Sequence, residues 1–179
     1  YGLYAQFLGA HGGAADLHLL TDGLGERWEY PRASIKLYPA CHQSHAFFNA
    51  ALRLRREHKI GSEDIKSIRA LVASVAVPLV CEPLAAKRAP SSSYSAQFSL
   101  PYGIACCFAR GRFSLSEIEE SAYSDPALLA LADKVDYAID PTSGFIKATS
   151  VVVIISTNDG RTLSGREELL PDAPADTAE

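Results

Sequence analysis

The residues able to do chemistry crowd into KLYPACHQSH, Lys36 to His45, where a lysine, a cysteine and two histidines surround one proline. Four readings fit such a cluster: a metal site, a nucleophile with its base, an anion cradle, or a polar strand-to-helix corner. The metal reading is the poorest. Cys41, His42 and His45 form C-H-x-x-H, whose adjacent ligands point in different directions, and no second Cys/His cluster follows. We therefore expect no metal. The nucleophile reading rests on Cys41. A helix terminus lowers a thiol pKa towards thiolate, and a nearby imidazole supplies acid–base catalysis near neutral pH. A small packing residue would serve equally well at that position.

The anion reading draws on more groups. A helix begins within a few residues of Pro39. Its first amides, Cys41 to Ser44, are expected to lack carbonyl partners and to point outward with the positive end of the helix dipole. With the Lys36 ammonium and the imidazoles of His42 and His45, they would make a site for a carboxylate or a phosphate. His45 also begins an apolar stripe with Phe48 and Leu52, which is where a satisfied core histidine would sit. Lys87 and Arg88 lie in a Pro/Ser/Ala-rich stretch and can close over an anion or simply be solvated. Tyr102, beside a helix start, can hydrogen-bond a ligand or pack. Cys106 and Cys107 lie in an apolar helix and read as core.

The elements that must position these groups are mostly legible. ASIKLYP (33–39) alternates like a half-buried strand ended by Pro39, and HQSHAFFNAALRLRREHK is the clearest helix, with Gly61 at its end. DIKSIRALVASVA reads as a strand with weak alternation. Residues 78–95 read as a long ordered loop of the kind that carries function. A helix is expected from about Pro101 to Arg110, with proline in the first turn and Gly111 as cap. Two more follow: SLSEIEESAY, with a Ser114–Glu117 capping box, and DPALLALADKV, capped by Asp125. VDYAID is a short strand. ATSVVVIISTNDGRTLSGREEL is a hairpin about Asn158-Asp159-Gly160. Upstream, Tyr1–Gly12 looks like the end of a buried helix, and residues 14–25 like a short amphipathic helix with Leu17, Leu20 and Leu24 on one face. The resulting order, β-α-β-loop-α-α-α-β-β-β, predicts an α+β fold: an antiparallel-rich sheet packed with helices.

The bulk properties narrow the classes. The chain has 179 residues, 47% hydrophobic and 21% charged, the mix of a folded protein in water. A net charge of −4 gives no footing for nucleic acid, and RLRREHK reads as a solvated helix end. No apolar run approaches the roughly 20 residues a bilayer span needs, so no membrane partner is expected. The four cysteines form neither a disulfide framework nor a zinc pattern, which favours a reducing, cytoplasmic setting. The chain starts inside an apparent helix, has no methionine and ends in PDAPADTAE, so it reads as a piece of a longer protein.

KLYPACHQSHAFFNAAL resembles the K-x-Y-P-x-C-x-x-x-H-x-x-x-D-A segment of the MmgE/PrpD family, and AQFSLPYGIACCFARG (96–111) resembles its A-x-F-S-L-P-Y-x-x-A segment at a suitable distance. The family includes 2-methylcitrate dehydratase, cis-aconitate decarboxylase and an iminodisuccinate epimerase. The resemblance implies a homodimeric, cofactor-independent enzyme with a helical domain and a smaller α+β lid, their cleft holding a small polycarboxylate. Residues 1–30 would then end the helical domain, 31–170 form the lid, and 171–179 a polar tail, with the rest of the helical domain missing. It further implies that Lys36 binds a substrate carboxylate and that Cys41 stands where some members have a catalytic histidine. His45 matches the motif histidine, and Asn49 replaces an aspartate. On this reading His42, His45 and Cys41 are catalytic candidates, and Lys36, Lys87 and Tyr102 substrate-binding ones. The sequence-level alternative is a non-catalytic assembly or ligand-binding domain whose corner is structural.

Overall fold

A computed structural model describes residues 16–28, 30, 35–142 and 150–168. The chain divides into two compact units, one of residues 1–34 with 172–179 and one of residues 35–171. The helix expected over Tyr1–Gly12 and the tail after 170 fall outside the described residues.

In the first unit, the segment expected to be an amphipathic helix forms a single 3-10 turn, Leu17–Leu20, capped by Asp16, followed by irregular turns. Its leucines are exposed, as are Trp28 and Tyr30. So short a helix depends on packing its apolar face, and here that face is uncovered.

The second unit carries the sheet. Strands β1 (Ile65–Val72), β2 (Val135–Ile139), β3 (Ser150–Thr157) and β4 (Thr162–Glu168) lie in the order β2-β1-β3-β4. The sheet is mixed: β1 runs parallel to β2, while β1–β3 and β3–β4 are antiparallel. A parallel pair needs a long crossover, and the helices between residues 77 and 132 provide it. The weak alternation of β1 has a local cause. Its register shifts between Ile65 and Ser67, so Ile65 is buried along with Ile68, Ala70 and Val72, although it has the opposite parity. The strand stops at Val72, short of the run to Ala76 expected from sequence.

Helix α1 (His45–His58) follows a 3-10 turn at His42–Ser44. It ends at Lys59, which takes a left-handed conformation (φ 51°) two residues before the glycine expected to stop it. Residues 78–95, expected as loop, fall mostly in turns of helix: a π-helical turn at Val77–Cys81, α2 (Leu84–Arg88) and α3 (Ser93–Gln97), the last with a Ser92–Ser95 capping box. Prolines and serines punctuate this stretch without preventing single helical turns. Helix α4 (Leu100–Arg110) is buried from Leu100 to Phe108, Cys106 and Cys107 included, and ends at Gly111 with φ 68°. The next expected helix is broken at Glu119 into a 3-10 turn (Leu115–Ile118) and α5 (Glu120–Tyr123). Helix α6 (Pro126–Ala132) is capped by Asp125.

Helix α1 packs on β3, β4 and α4, and α4 packs on α6. At the closest approaches there is no room for a side chain: a Cβ on Gly165 would meet Leu54 Cγ at 2.9 Å, and one on Gly103 would run into the ring of Phe48. Edge strand β2 has two main-chain groups taken by side chains. The Val135 carbonyl accepts from Arg88 Nη2 at 2.7 Å, and the Tyr137 N–H donates to Asp136 Oδ1 at 2.8 Å. Groups satisfied in this way offer less of a template for a foreign strand.

Candidate functional site

The segment that precedes α1 decides the geometry. Residues 35–40 are irregular bends, where alternation had predicted a strand up to Pro39. They pair with no other strand, and side chains fold back onto their carbonyls instead. Lys36 Nζ donates to the Ala40 carbonyl at 3.1 Å, and His45 Nε2 faces the same oxygen at 3.4 Å. A carbonyl only accepts, so this contact places the proton on Nε2 of the neutral ring. The rings of His42 and His45 lie 4.7 Å apart between centroids. Tyr38 stands edge-on to both His45 and Phe48, and its hydroxyl donates to Asn49 Oδ1 at 2.6 Å.

The corner is graded in depth: Lys36 is exposed, Cys41 and His42 are half-buried, and His45 is 5% exposed. Burial pushes the His45 pKa below its ordinary value. The charges of His42 and Lys36 push the same way, against the opposing pull of the Ala40 and Tyr38 carbonyls. The base at the floor of the corner is therefore held neutral beneath two other nitrogen groups.

The expected row of open amides is smaller than the sequence implied. The Cys41 N–H donates to the Gln97 carbonyl at 2.8 Å, the Ser44 N–H to the Cys41 carbonyl at 2.9 Å, and the His45 N–H to the His42 carbonyl. The 3-10 turn satisfies with i→i+3 bonds groups that a straight helix start would leave open. Ser44 Oγ, by contrast, is fully enclosed and has no hydrogen-bond partner. A buried orphan hydroxyl at a helix start is uncommon and calls for a reason.

The other candidates divide. Lys87 belongs to the neighbourhood of the corner. Its ammonium donates to the carbonyls of Leu79 (2.6 Å) and Phe98 (2.8 Å), and the Ser99 hydroxyl binds its carbonyl. Burial lowers its pKa, while Cys81 and Cys41 hold it up, which puts Cys41 within electrostatic reach. Arg88 is spent on the Val135 carbonyl. Tyr102 is completely buried in α4, its hydroxyl donates to the Glu117 carbonyl at 2.7 Å, and burial pushes its pKa up strongly. Lys36, Cys41, His42, His45 and Lys87 thus share one region, and Tyr102 lies in the core. Tyr38 and Ser44 were not named among the candidates, and Asn49 was noted only as the replacement of an aspartate. Tyr38 carried a signal, two positions after Lys36 and just before Pro39.

Among the described residues, no three His, Cys, Asp or Glu side chains gather as a metal site would require, and no helix is long and apolar enough to cross a membrane. The arrangement can place a negative group against the Lys36 ammonium and the His42 ring, with His45 beneath as the base. In comparison with known proteins, residues 38–175 match the family described as the MmgE/PrpD C-terminal domain. No curated protein matches the chain.

Proposed function

The chain belongs to the MmgE/PrpD family, of which residues 38–175 are the C-terminal domain, and from that premise we propose that it is the C-terminal part of a lyase or isomerase acting on a small di- or tricarboxylate. The observation that carries this reading is the convergence of Lys36, His42 and His45 on one corner, with two of them meeting at a single carbonyl oxygen. Lys36 binds a substrate carboxylate. The imidazole pair moves a proton next to that carboxylate, and Lys87 adds positive potential from the neighbouring segment. Fixed cations stabilise the negative charge that develops as the proton leaves and water or carbon dioxide is lost. Cys41 lines the same corner as a half-buried thiol. The domain serves as a lid over a helical domain of the same longer chain, works as a homodimer in the cytoplasm and needs no cofactor.

A second reading has an observation of its own. His45 is enclosed and faces a backbone carbonyl, as a structural histidine would in a non-catalytic binding or assembly domain. One assay separates the two. The full-length protein is tested with 2-methylcitrate, cis-aconitate and related acids. Turnover that falls about 100-fold in Lys36→Ala, the loss typical of one electrostatic donor, supports the enzyme. No turnover with any of them leaves the non-catalytic reading.

A further inference from the structure

A pocket of about 530 Å³ opens between α2 and α6, within the size range of small-molecule sites. Its walls are apolar, with Leu84 and Ala85 on α2 facing Leu129 and Ala130 on α6, and it holds one cation, Arg88, and one anion, Asp133. Arg88 Nε and Nη2 both donate to the Val135 carbonyl, at 3.0 and 2.7 Å. These bonds fix the guanidinium and use only one of its edges. Nη1, which with Nη2 forms the fork that matches a carboxylate, meets no acceptor among the described residues. Asp133 caps the C-terminal end of α6 through its N–H, and its carboxylate makes no hydrogen bond or ion pair among the described residues. That is the negative end of the helix, where the backbone dipole favours a cation instead. The neighbouring charges are committed elsewhere. Lys134 Nζ donates to the Ile65 carbonyl at 2.6 Å, and Glu82 accepts from the Leu84 N–H at 2.8 Å and from the Tyr137 hydroxyl. Lys87, one residue before Arg88, is turned to the carbonyls of Leu79 and Phe98. A cation and an anion thus line one apolar cleft without meeting each other.

We propose that the cleft between α2 and α6 binds a zwitterionic α-amino acid with an aliphatic side chain. The ligand carboxylate takes the Nη1–Nη2 fork of Arg88, its ammonium faces Asp133, and its side chain lies on Leu84 and Leu129. Each charge of such a ligand meets the opposite sign, and each charge of the cleft gains a partner that the fold itself does not supply. A simple carboxylate leaves Asp133 unmatched, and a simple amine leaves Arg88 unmatched. A dicarboxylate would set its second negative group against Asp133, so the cleft differs in ligand class from the Lys36 corner.

Isothermal titration calorimetry of the full-length protein with L-leucine, isovalerate and isopentylamine tests this. Leucine is expected to bind about fivefold tighter than either analogue, because each analogue lacks one of the two ion pairs. Asp133→Asn, at an exposed position, should weaken leucine by about the same factor without weakening isovalerate. Ala85→Trp, also at an exposed position, should fill the cleft and abolish leucine binding. The proposal is overturned if leucine does not bind, if it binds no tighter than isovalerate, or if either variant keeps the wild-type affinity. The Lys36 corner plays no part in these readouts, so its own reading stands or falls separately.

Discussion

At the scale of the residue, His45 links structure to pH. Its folded pKa lies below the ordinary 6.5, through burial first and then through His42 and Lys36. Below pH 6.5 the unfolded chain binds a proton that the folded chain refuses. The stability contributed by neutral His45 is therefore full above that value and declines as pH falls towards the folded pKa. His45→Gln should remove this component: urea unfolding at a series of pH values should show a flatter profile just below neutrality than the wild type. A variant as steep as the wild type would mean that His45 does not titrate in this way. The types and spacing of Lys36, His42 and His45 marked the corner from sequence alone. Their shared carbonyl could not be read there. Which oxygen a lysine meets depends on how residues 35–40 bend, and the alternation of ASIKLYP suggested a strand.

At the scale of the element, the helix that carries His45 is placed by its contacts as much as by its own sequence. The interior of α4 contains Gly103, where alanine would normally gain about 1 kcal/mol in helix propensity. The side chain would instead run into the ring of Phe48, which lies on α1 one position after Phe47 and three after His45. Gly103→Ala should therefore destabilise by about 2 kcal/mol, as overpacking does. Its thermal midpoint should be lower than that of the wild type, and Phe48→Leu in the same chain should restore part of the loss. An unchanged or raised midpoint would show that α1 and α4 can separate at no cost. Caps and turns were the most legible part of these elements: Asp125 before Pro126, the Ser114–Glu117 box, Gly111 after α4, and the Asn158–Gly160 turn. Each is a bond between near neighbours that the local sequence specifies. The stretch from Val77 to Gln97 was not legible as helix, because single turns of five residues carry no measurable periodicity.

At the scale of the molecule, one buried carboxylate ties the helices beyond α4 together. Glu117 is fully buried; it accepts from Arg112 Nε at 3.0 Å and from the Ser114 hydroxyl at 2.7 Å, and pairs with Arg110 Nη1 at 3.6 Å. Arg110 in turn holds Asp125, the cap of α6, at 3.1 Å. Burial alone would raise the Glu117 pKa, but the Ser114, Arg112 and Ser116 hydrogen bonds outweigh it and hold it below 4.5. A depressed carboxylate pKa stabilises the fold above the unfolded value and is lost as pH falls through the folded one. Acid should therefore unfold the protein below about pH 4, and Glu117→Gln should lose about 2 kcal/mol at neutral pH and show a shallower acid limb. Circular dichroism across that range would check it, and identical acid limbs would place the transition elsewhere.

The same scale separates what the sequence determined from what only the folded chain decided. The α+β class, α1, α4, α6, the hairpin of β3 and β4, and the family motifs were determined by the sequence, because periodicity, capping and turn chemistry act within a few residues. The parallel pairing of β1 with β2, the burial of Tyr102 against the Glu117 carbonyl and the bond from the Cys41 amide to Gln97 join groups more than a dozen residues apart. No local pattern encodes such contacts, because chain closure and packing choose them. The corner shows both kinds of cause. Its residues were named by their spacing, while their charge, depth and shared acceptor were set by the chain folding back over them.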